Sequence, residues 1–167
     1  MHILETERLY LREMTIDDAE NAYFLNLDPE VLRFTGDEPF ESIEKARSFL
    51  ENYDHYRKYG FGRWAMILKS THEFIGFCGL KYTEEENEFD IGFRLLKNHW
   101  NKGYATEAAK ACLDLGFSKF DMKEIVGRVM KENMASIRVL EKLGLRFHHS
   151  ILIDGQEELI YKISHHS

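Results

Sequence analysis

The chain has 167 residues, of which 44% are hydrophobic and 13% aromatic, enough apolar side chain for the core of one domain over residues 1–167. Its formal net charge of -7 argues against a protein that binds duplex nucleic acid through phosphate contacts. No run approaches the roughly 18 apolar residues of a membrane span, and the first residues have no signal-peptide pattern. We therefore expect a cytoplasmic protein without a nucleic-acid or membrane partner.

The first third of the chain is predicted to contain one strand and two helices. Residues 8–14, RLYLREM, alternate apolar and basic side chains, as a half-buried strand does. Thr15 precedes an acidic turn and a short helix, and Ser42 caps a second helix predicted through residues 43–59. The apolar stripe of that second helix consists of Ile43, Ala46, Phe49, Leu50 and Tyr53.

The rest of the chain is predicted to alternate strands with two further helices. Residues 63–69, 73–82 and 88–96 are strand-like and joined by short polar turns, which favours an antiparallel meander. The later elements are a helix after Gly103, a strand over 124–130, a helix over 133–142 ended by Gly144, and a hairpin turning at Asp154 and Gly155. This order predicts an α+β fold with a mixed sheet.

Cysteine and histidine residues give no sign of a metal site. Cys78 and Cys112 lie in apolar segments, which favours buried thiols over a disulfide or a metal ligand. The eight histidines show no HExxH pattern or paired ligand spacing, and the pairs at 148–149 and 165–166 are interpreted as surface residues.

The strand-to-helix junction WNKGYATEA, residues 100–108, is the best candidate for a binding site. A helix start presents unpaired N–H groups and the positive end of the helix dipole, and so can bind a phosphate without a basic side chain. A tight turn followed by alanines for helix packing explains the glycine spacing as well. The junction is not a Rossmann fingerprint, because the third glycine is absent, and the chain contains no GxxxxGK[ST] loop.

A second motif, KENMASIRVLEKLGLRF, begins about thirty residues downstream and places Asn133, Ser136 and Leu140 on one helix face. Together the two motifs resemble the Gcn5-related N-acetyltransferase (GNAT) superfamily, and more closely its ribosomal-protein N-acetyltransferase-like branch. The opening ETERLYLREMTIDDAE resembles that branch too. The resemblance spans nearly the whole chain, and it implies a mixed, mostly antiparallel sheet of about seven strands flanked by about four helices.

The resemblance implies acetyl-CoA as co-substrate and direct transfer of its acetyl group to a primary amine, on a protein N-terminus or a small molecule. In the family, main-chain amides of the loop before this helix bind the diphosphate of coenzyme A. The matching residues are Asn101, Lys102, Gly103, Tyr104, Ala105 and Thr106, preceded by Trp100 where much of the superfamily has Gln or Arg.

The preceding strand matches the family segment that pairs with the pantetheine arm of acetyl-CoA. Its residues are Phe93, Arg94 and Leu95, and a backbone amide near Arg94 or Leu95 would face the thioester oxygen. Ordinary core packing also explains Phe93 and Leu95.

Catalytic residues follow less directly from the resemblance. Many relatives carry a tyrosine acid at the position of Leu140, and the branch implies Ser136 as the substitute proton donor, unless Ser136 merely caps the helix. Asn133 would bind the pantetheine or orient the loop. For the general base the resemblance indicates Asp90 or Glu157, although either could be a solvated strand residue.

Other functions stay open from the sequence. A catalytically weak acyl-CoA-binding or sensing module would explain Leu140, and a nucleotide-binding domain would explain the glycine turn. The acceptor amine is expected between the loop joining the first two helices and the last hairpin. Asp37, Glu38 and Glu41 in that loop weakly favour a cationic acceptor. Dimers are common in the branch, so a homodimer is compatible with the resemblance.

Overall fold

The computed structural model describes residues 2–165, so His166 of the second histidine pair lies outside the described residues. One eight-stranded sheet organises the chain, in the order β1-β2-β3-β4-β5-β6-β8-β7. Its strands are β1 (Leu4–Glu5), β2 (Leu9–Arg12), β3 (Arg63–Leu68), β4 (Phe74–Thr83), β5 (Glu88–Leu95), β6 (Glu124–Met130), β7 (Arg146–Ile153) and β8 (Gln156–Ser164). Neighbouring strands are antiparallel except β5 and β6, which are parallel.

Six α-helices connect the strands. They are α1 (Ala19–Leu25), α2 (Pro29–Leu32), α3 (Ile43–Glu51), α4 (His55–Tyr59), α5 (Tyr104–Ser118) and α6 (Met134–Lys142), with single 3-10 turns at Ile16–Asp18 and Lys97–His99. The predicted α+β fold with a mixed, mostly antiparallel sheet is confirmed. The short strand β1 brings the sheet to eight strands instead of about seven. The helices number six instead of about four, because α2 is additional and the predicted second helix is divided into α3 and α4. Among residues 2–165, no helix has the length and apolar character needed to cross a membrane.

The single helix predicted over residues 43–59 is wrong. α3 ends at Glu51, where the C-cap residue Asn52 donates to the Ser48 carbonyl through both its backbone N–H and its side chain. The break allows two tyrosines to reach β3: the Tyr53 hydroxyl accepts from the Arg63 N–H at 3.0 Å, and the Tyr56 hydroxyl donates to the Arg63 carbonyl. Phe49, expected in the buried stripe, is 51% exposed.

α5 packs across β4 and β5 because its inward face carries small side chains. Ala108, Ala109 and Cys112 are fully buried there, and the Cys112 sulfur lies 3.9 Å from that of Cys78 on β4. Both thiols are free, as predicted, and burial raises the pKa of Cys112. This close packing fixes where the first turn of α5 lies relative to β5.

β5 separates from β6 almost as soon as the two strands meet. β4 and β5 pair from Gly76–Leu95 to Thr83–Glu88, whereas β5 and β6 are matched in register only at Asp90 and Val126. β6 continues beside β8, and no strand of residues 2–165 pairs with the edge of β5 that follows Asp90. We call the opening between the two strands the fork.

A partly buried carboxylate attaches the first turn of α5 to the start of β2. Glu107 accepts hydrogen bonds from the Thr6 hydroxyl at 2.5 Å, the Arg8 backbone N–H at 2.9 Å and the Arg8 Nε at 2.7 Å. The Arg8 guanidinium also lies 4.3 Å from the centre of the Tyr104 ring. Burial raises the pKa of Glu107, but the bonds from Thr6 and Arg8 outweigh burial and hold it below its ordinary value.

We predict that Glu107→Gln lowers the free energy of unfolding at pH 7 by about 2 kcal/mol, the scale of hydrogen bonds to a charged group. Because the pKa of Glu107 is lower in the folded protein than in the unfolded chain, this contribution is present at neutral pH and is lost as the pH falls below about 4. Urea unfolding of both proteins at pH 7 and pH 3.5 measures the difference. Glu51→Gln, at the exposed end of α3, is the control, and an equal deficit at both pH values would contradict the prediction.

Candidate active site

A groove of about 770 Å³ occupies the fork. It is bounded by β5, the turn before α5, the first turns of α5 and α6, and α2. The residues predicted from the sequence that line it are Asp90, Phe93, Arg94, Leu95, Asn101, Gly103, Tyr104, Ala105, Thr106, Asn133 and Ser136. Lys102 is exposed and does not line it. The fork therefore brings both sequence motifs to one cavity.

The start of α5 faces the groove without a side-chain cap. Asn101 and Gly103 have φ angles of 62° and 82°, in the left-handed region that glycine adopts at little cost. No side chain caps the helix at Gly103, and the first intrahelical bond runs from the Glu107 N–H to the Gly103 carbonyl. The N–H groups of residues 104–106 precede that bond and can be offered to a ligand.

The Trp100 indole closes the end of β5 beside this turn. Its Nε1 donates to the Leu95 carbonyl at 2.9 Å, and its ring lines the groove. The sequence identified Trp100 only as a departure from the superfamily pattern. The hydrogen bond gives it a structural role, because it ties the turn to the strand that the turn follows.

α6 brings Ser136 to the opposite side of the groove. Asn133 is its N-cap, and the Asn133 side-chain oxygen accepts the Ser136 N–H at 3.3 Å. The alternative that Ser136 caps the helix is therefore wrong, and the half-buried Ser136 side chain lines the groove. Leu140 is 2% exposed and packs over Gly127, where a Cβ would lie 2.7 Å from a Leu140 methyl carbon.

Asp90 lies at the point where the fork opens, held by an ion pair. It is 8% exposed, and its Oδ1 accepts from Arg63 Nη2 at 2.6 Å. Arg63 Nη1 also donates to the Gly79 carbonyl at 2.9 Å. Gly92 leaves room for this guanidinium, because a Cβ at residue 92 would lie 2.5 Å from Arg63 Cζ. These contacts give Asp90 a structural role whether or not it also acts as a base.

The acidic residue of the last hairpin that lines the groove is Glu158, one position after the predicted Glu157. Adjacent strand residues face opposite sides of a sheet, and Glu157 lies outside the lining, 3.2 Å from Lys131. Glu158 accepts from Arg128 Nη1 at 2.9 Å. Arg128 also binds both oxygens of Glu88 on β5, at 2.7 and 3.1 Å, so this arginine links β5, β6 and β8 beside the fork. Strand alternation could have found Glu158, had the register of the hairpin been known.

The groove is positively charged although the chain carries a formal charge of -7. Its lining has seven basic side chains, Arg33, Arg63, Lys81, Arg94, Arg128, Arg138 and Lys142, and three acidic ones, Glu30, Asp90 and Glu158. Asp37, Glu38 and Glu41, expected to favour a cationic acceptor, are not in the lining. No group of His, Cys, Asp or Glu suited to hold a metal ion occurs within residues 2–165. A positive groove beside an uncapped helix start suits a phosphorylated ligand.

Comparison with known proteins agrees with this geometry. Residues 8–146 match the family described as acetyltransferase (GNAT) domain. An uncharacterized N-acetyltransferase of Bacillus licheniformis, p20, is 36% identical over 148 residues, covering 87% of this chain and 83% of that protein.

Solved structures share the whole fold. A GNAT-family acetyltransferase from Bacillus anthracis superposes with a TM-score of 0.84 at 27% identity, over 98% of each chain. The ribosomal-protein-S5-alanine acetyltransferase of Vibrio fischeri has a TM-score of 0.81 at 18% identity, over 96% of this chain and 95% of that one. Spermidine N-acetyltransferase from Vibrio cholerae, in complex with CoA and spermine, has a TM-score of 0.79 at 20% identity, over 94% and 95%. This chain belongs to the GNAT acetyltransferase family and is an acetyltransferase, of a kind whose named relatives act on amines.

Proposed function

We propose that residues 1–167 form one domain that transfers the acetyl group of acetyl-CoA directly to a primary amine, on a peptide N-terminus or a small molecule. One observation carries this proposal: the uncapped start of α5 and the unpaired edge of β5 open into the same groove. The uncapped helix start can bind a diphosphate through its free N–H groups, and the unpaired strand edge can pair with an extended pantetheine arm.

In this proposal, the main-chain amides around Gly103 bind the diphosphate, and the pantetheine pairs with the free edge of β5 at residues 93–95. The basic lining supports a cofactor with several phosphates, because Arg138 and Lys142 on α6 add positive charge to that of the helix start. The Vibrio cholerae spermidine N-acetyltransferase, which shares this fold, was solved in complex with CoA, and this supports a CoA ligand for the groove.

Direct transfer requires three things of the site. The amine must attack the thioester carbonyl in its neutral form, the developing oxyanion needs a donor, and the departing thiolate needs a proton or a hydrogen bond. An N–H of β5 near Arg94 or Leu95 would meet the oxyanion. Ser136 would supply the proton to the thiolate, since it lines the groove and its hydroxyl is not used to cap α6.

For the amine proton we propose Glu158 in place of Glu157. Glu158 lines the groove, and Arg128 occupies only its Oε1 in the described contacts, which leaves Oε2 for the amine or for a water beside it. Asp90 stays a second candidate, although its Oδ1 is held by Arg63.

We predict that the protein binds CoA and that Gly103→Ala weakens binding about 10-fold. A Cβ at a φ of 82° strains the turn and reorients the amides that bind the diphosphate. Gly155→Ala is the matched control, because Gly155 has a φ of 78° at the tip of the last hairpin, with no atom within 4 Å of its added Cβ. Calorimetric titration with CoA measures both variants.

The same titration separates the competing functions. Equal weakening by both glycine variants would contradict the placement of the diphosphate. Thermal stabilisation by ATP or NAD but not by CoA would instead support a nucleotide-binding domain. Tight CoA binding without release of thiol from acetyl-CoA, across a panel of peptides and small amines, would support a sensing module.

We predict that Ser136→Ala lowers kcat about 100-fold, the scale of general acid catalysis, and changes the Kd for CoA less than twofold. Thiol release from acetyl-CoA at saturating amine gives kcat, and calorimetry gives Kd. Ser118→Ala, at the end of α5 and outside the groove, is the control. Unchanged turnover in Ser136→Ala would remove this residue from the mechanism.

We predict that Glu158→Gln lowers kcat/KM for the amine at least 10-fold, while Glu157→Gln leaves it within twofold of wild type. The two carboxylates are neighbours in sequence, but only Glu158 lines the groove. Steady-state rates at saturating acetyl-CoA test the pair. If Glu158→Gln keeps the wild-type kcat/KM, no dedicated base is needed at this position.

A further inference from the structure

The Arg94 side chain joins three separate parts of the chain at the groove. On β5, it projects away from the core-packed neighbours Phe93 and Leu95, and its guanidinium lies 5.2 Å from the centre of the Phe77 ring. Nη1 donates to Asn26 Oδ1 at 2.5 Å, and Nη2 donates to Asp37 Oδ2 at 2.7 Å. Asn26 ends α1, while Asp37 belongs to the loop after α2.

The partners of Arg94 are themselves held in place. Asn26 is 9% exposed, and its side-chain N–H donates to the Ala22 carbonyl at 2.8 Å, which turns its oxygen toward Arg94. The Asp37 backbone N–H donates to the Thr35 hydroxyl at 3.0 Å, and that hydroxyl donates to the Leu32 carbonyl at 2.9 Å. A movement of Asp37 would therefore also move Thr35, which lines the groove.

Residues 29–41, which we call the acceptor segment, contribute part of the groove lining. The lining residues of this segment are Glu30, Val31, Arg33, Phe34 and Thr35. Besides Arg94, the ion pair between Lys97 and Glu30, at 2.7 Å, connects the segment to the end of β5. That pair is half exposed on both sides, so it contributes little, whereas the Arg94 side chain is 15% exposed.

We infer that Arg94 is a positioning residue for the amine: its side chain holds the acceptor segment at a set distance from β5, along which acetyl-CoA is proposed to bind. This inference rests on the proposed function, which assigns the cofactor to β5, and on the expectation that the loop containing the acceptor segment lines the site of the amine. A guanidinium suits the task, since its fixed fork reaches two acceptors on different elements, which a lysine ammonium cannot do with the same geometry.

The test uses Arg94→Met, Arg94→Lys and Asp37→Asn in the full chain. Methionine keeps an apolar stem against Phe77 but removes both hydrogen bonds. At saturating acetyl-CoA, with spermidine and the peptide Ala-Ala-Ala as amines, we expect Arg94→Met to raise the KM for the amine about 10-fold, with kcat and the Kd for CoA within about twofold of wild type. Arg94→Lys should be intermediate, and Asp37→Asn should raise KM about 3-fold because that carboxylate is exposed.

Hydrogen exchange gives a second readout that does not depend on turnover. Backbone amides of residues 29–41 should exchange at least about 5-fold faster in Arg94→Met. The control is Glu84→Gln: Glu84 and Asp37 have side chains of the same 59% exposure, and Glu84 pairs with Lys58 outside the groove. The control should leave both exchange and KM unchanged.

Two results would overturn the inference. One is that residues 29–41 of Arg94→Met exchange hydrogen at the wild-type rate. This result would show that Arg94 does not hold the segment, even if neither amine is turned over. The other is a loss of kcat and thermal midpoint with an unchanged KM for the amine, which would reduce Arg94 to a stability role. Failure of the wild-type protein to bind CoA would instead contradict the proposed function. The exchange comparison would still show whether Arg94 holds the acceptor segment in place.

Discussion

The structure depends on one constraint in its sheet: parallel strands β5 and β6 are in register only at Asp90 and Val126. A fully paired sheet would satisfy the backbone groups of both strands and leave no room for a ligand. Here β6 follows β8, and β5 follows β4, so the two halves of the sheet diverge. The backbone groups left along β5 are those that an extended ligand can pair with.

Charged side chains connect the strands beside the fork. Arg63 binds Asp90 on one side of the junction, and Arg128 binds Glu88 and Glu158 on the other. Each arginine makes several hydrogen bonds in a partly buried setting, where its charge would be costly without a partner. α5 and α6 then present their first turns across the opening. In the proposed site, main-chain groups therefore bind the cofactor, and charged side chains support the strands that carry them.

Local patterns were sufficient to predict most elements, since strand alternation, caps and turn residues act over a few residues. Asp154 and Gly155, with φ angles of 50° and 78°, form the predicted hairpin turn. The break between α3 and α4 was not predictable from the same patterns, because it accompanies hydrogen bonds of Tyr53 and Tyr56 to Arg63 on β3, outside the helix. Local helical spacing cannot report such a contact.

The candidate site, too, was predictable only where its features are local in sequence. The loop around Gly103 and the serine of α6 could be found from motifs, because their chemistry is local. Glu158 and the side-chain role of Arg94 could not, since each depends on which strand or loop lies opposite. Glu157 and Glu158 are neighbours on one strand and face opposite sides of the sheet, and the sequence alone does not say which of them lines the groove.

Gly92 and Arg63 show how two distant positions come to depend on each other. The guanidinium of Arg63 fills the volume that any larger residue at position 92 would need. A side chain gained at residue 92 would therefore displace the Arg63 guanidinium or require a smaller residue at 63. Either change would move the counter-ion of Asp90, so a substitution at one of these positions alters the other.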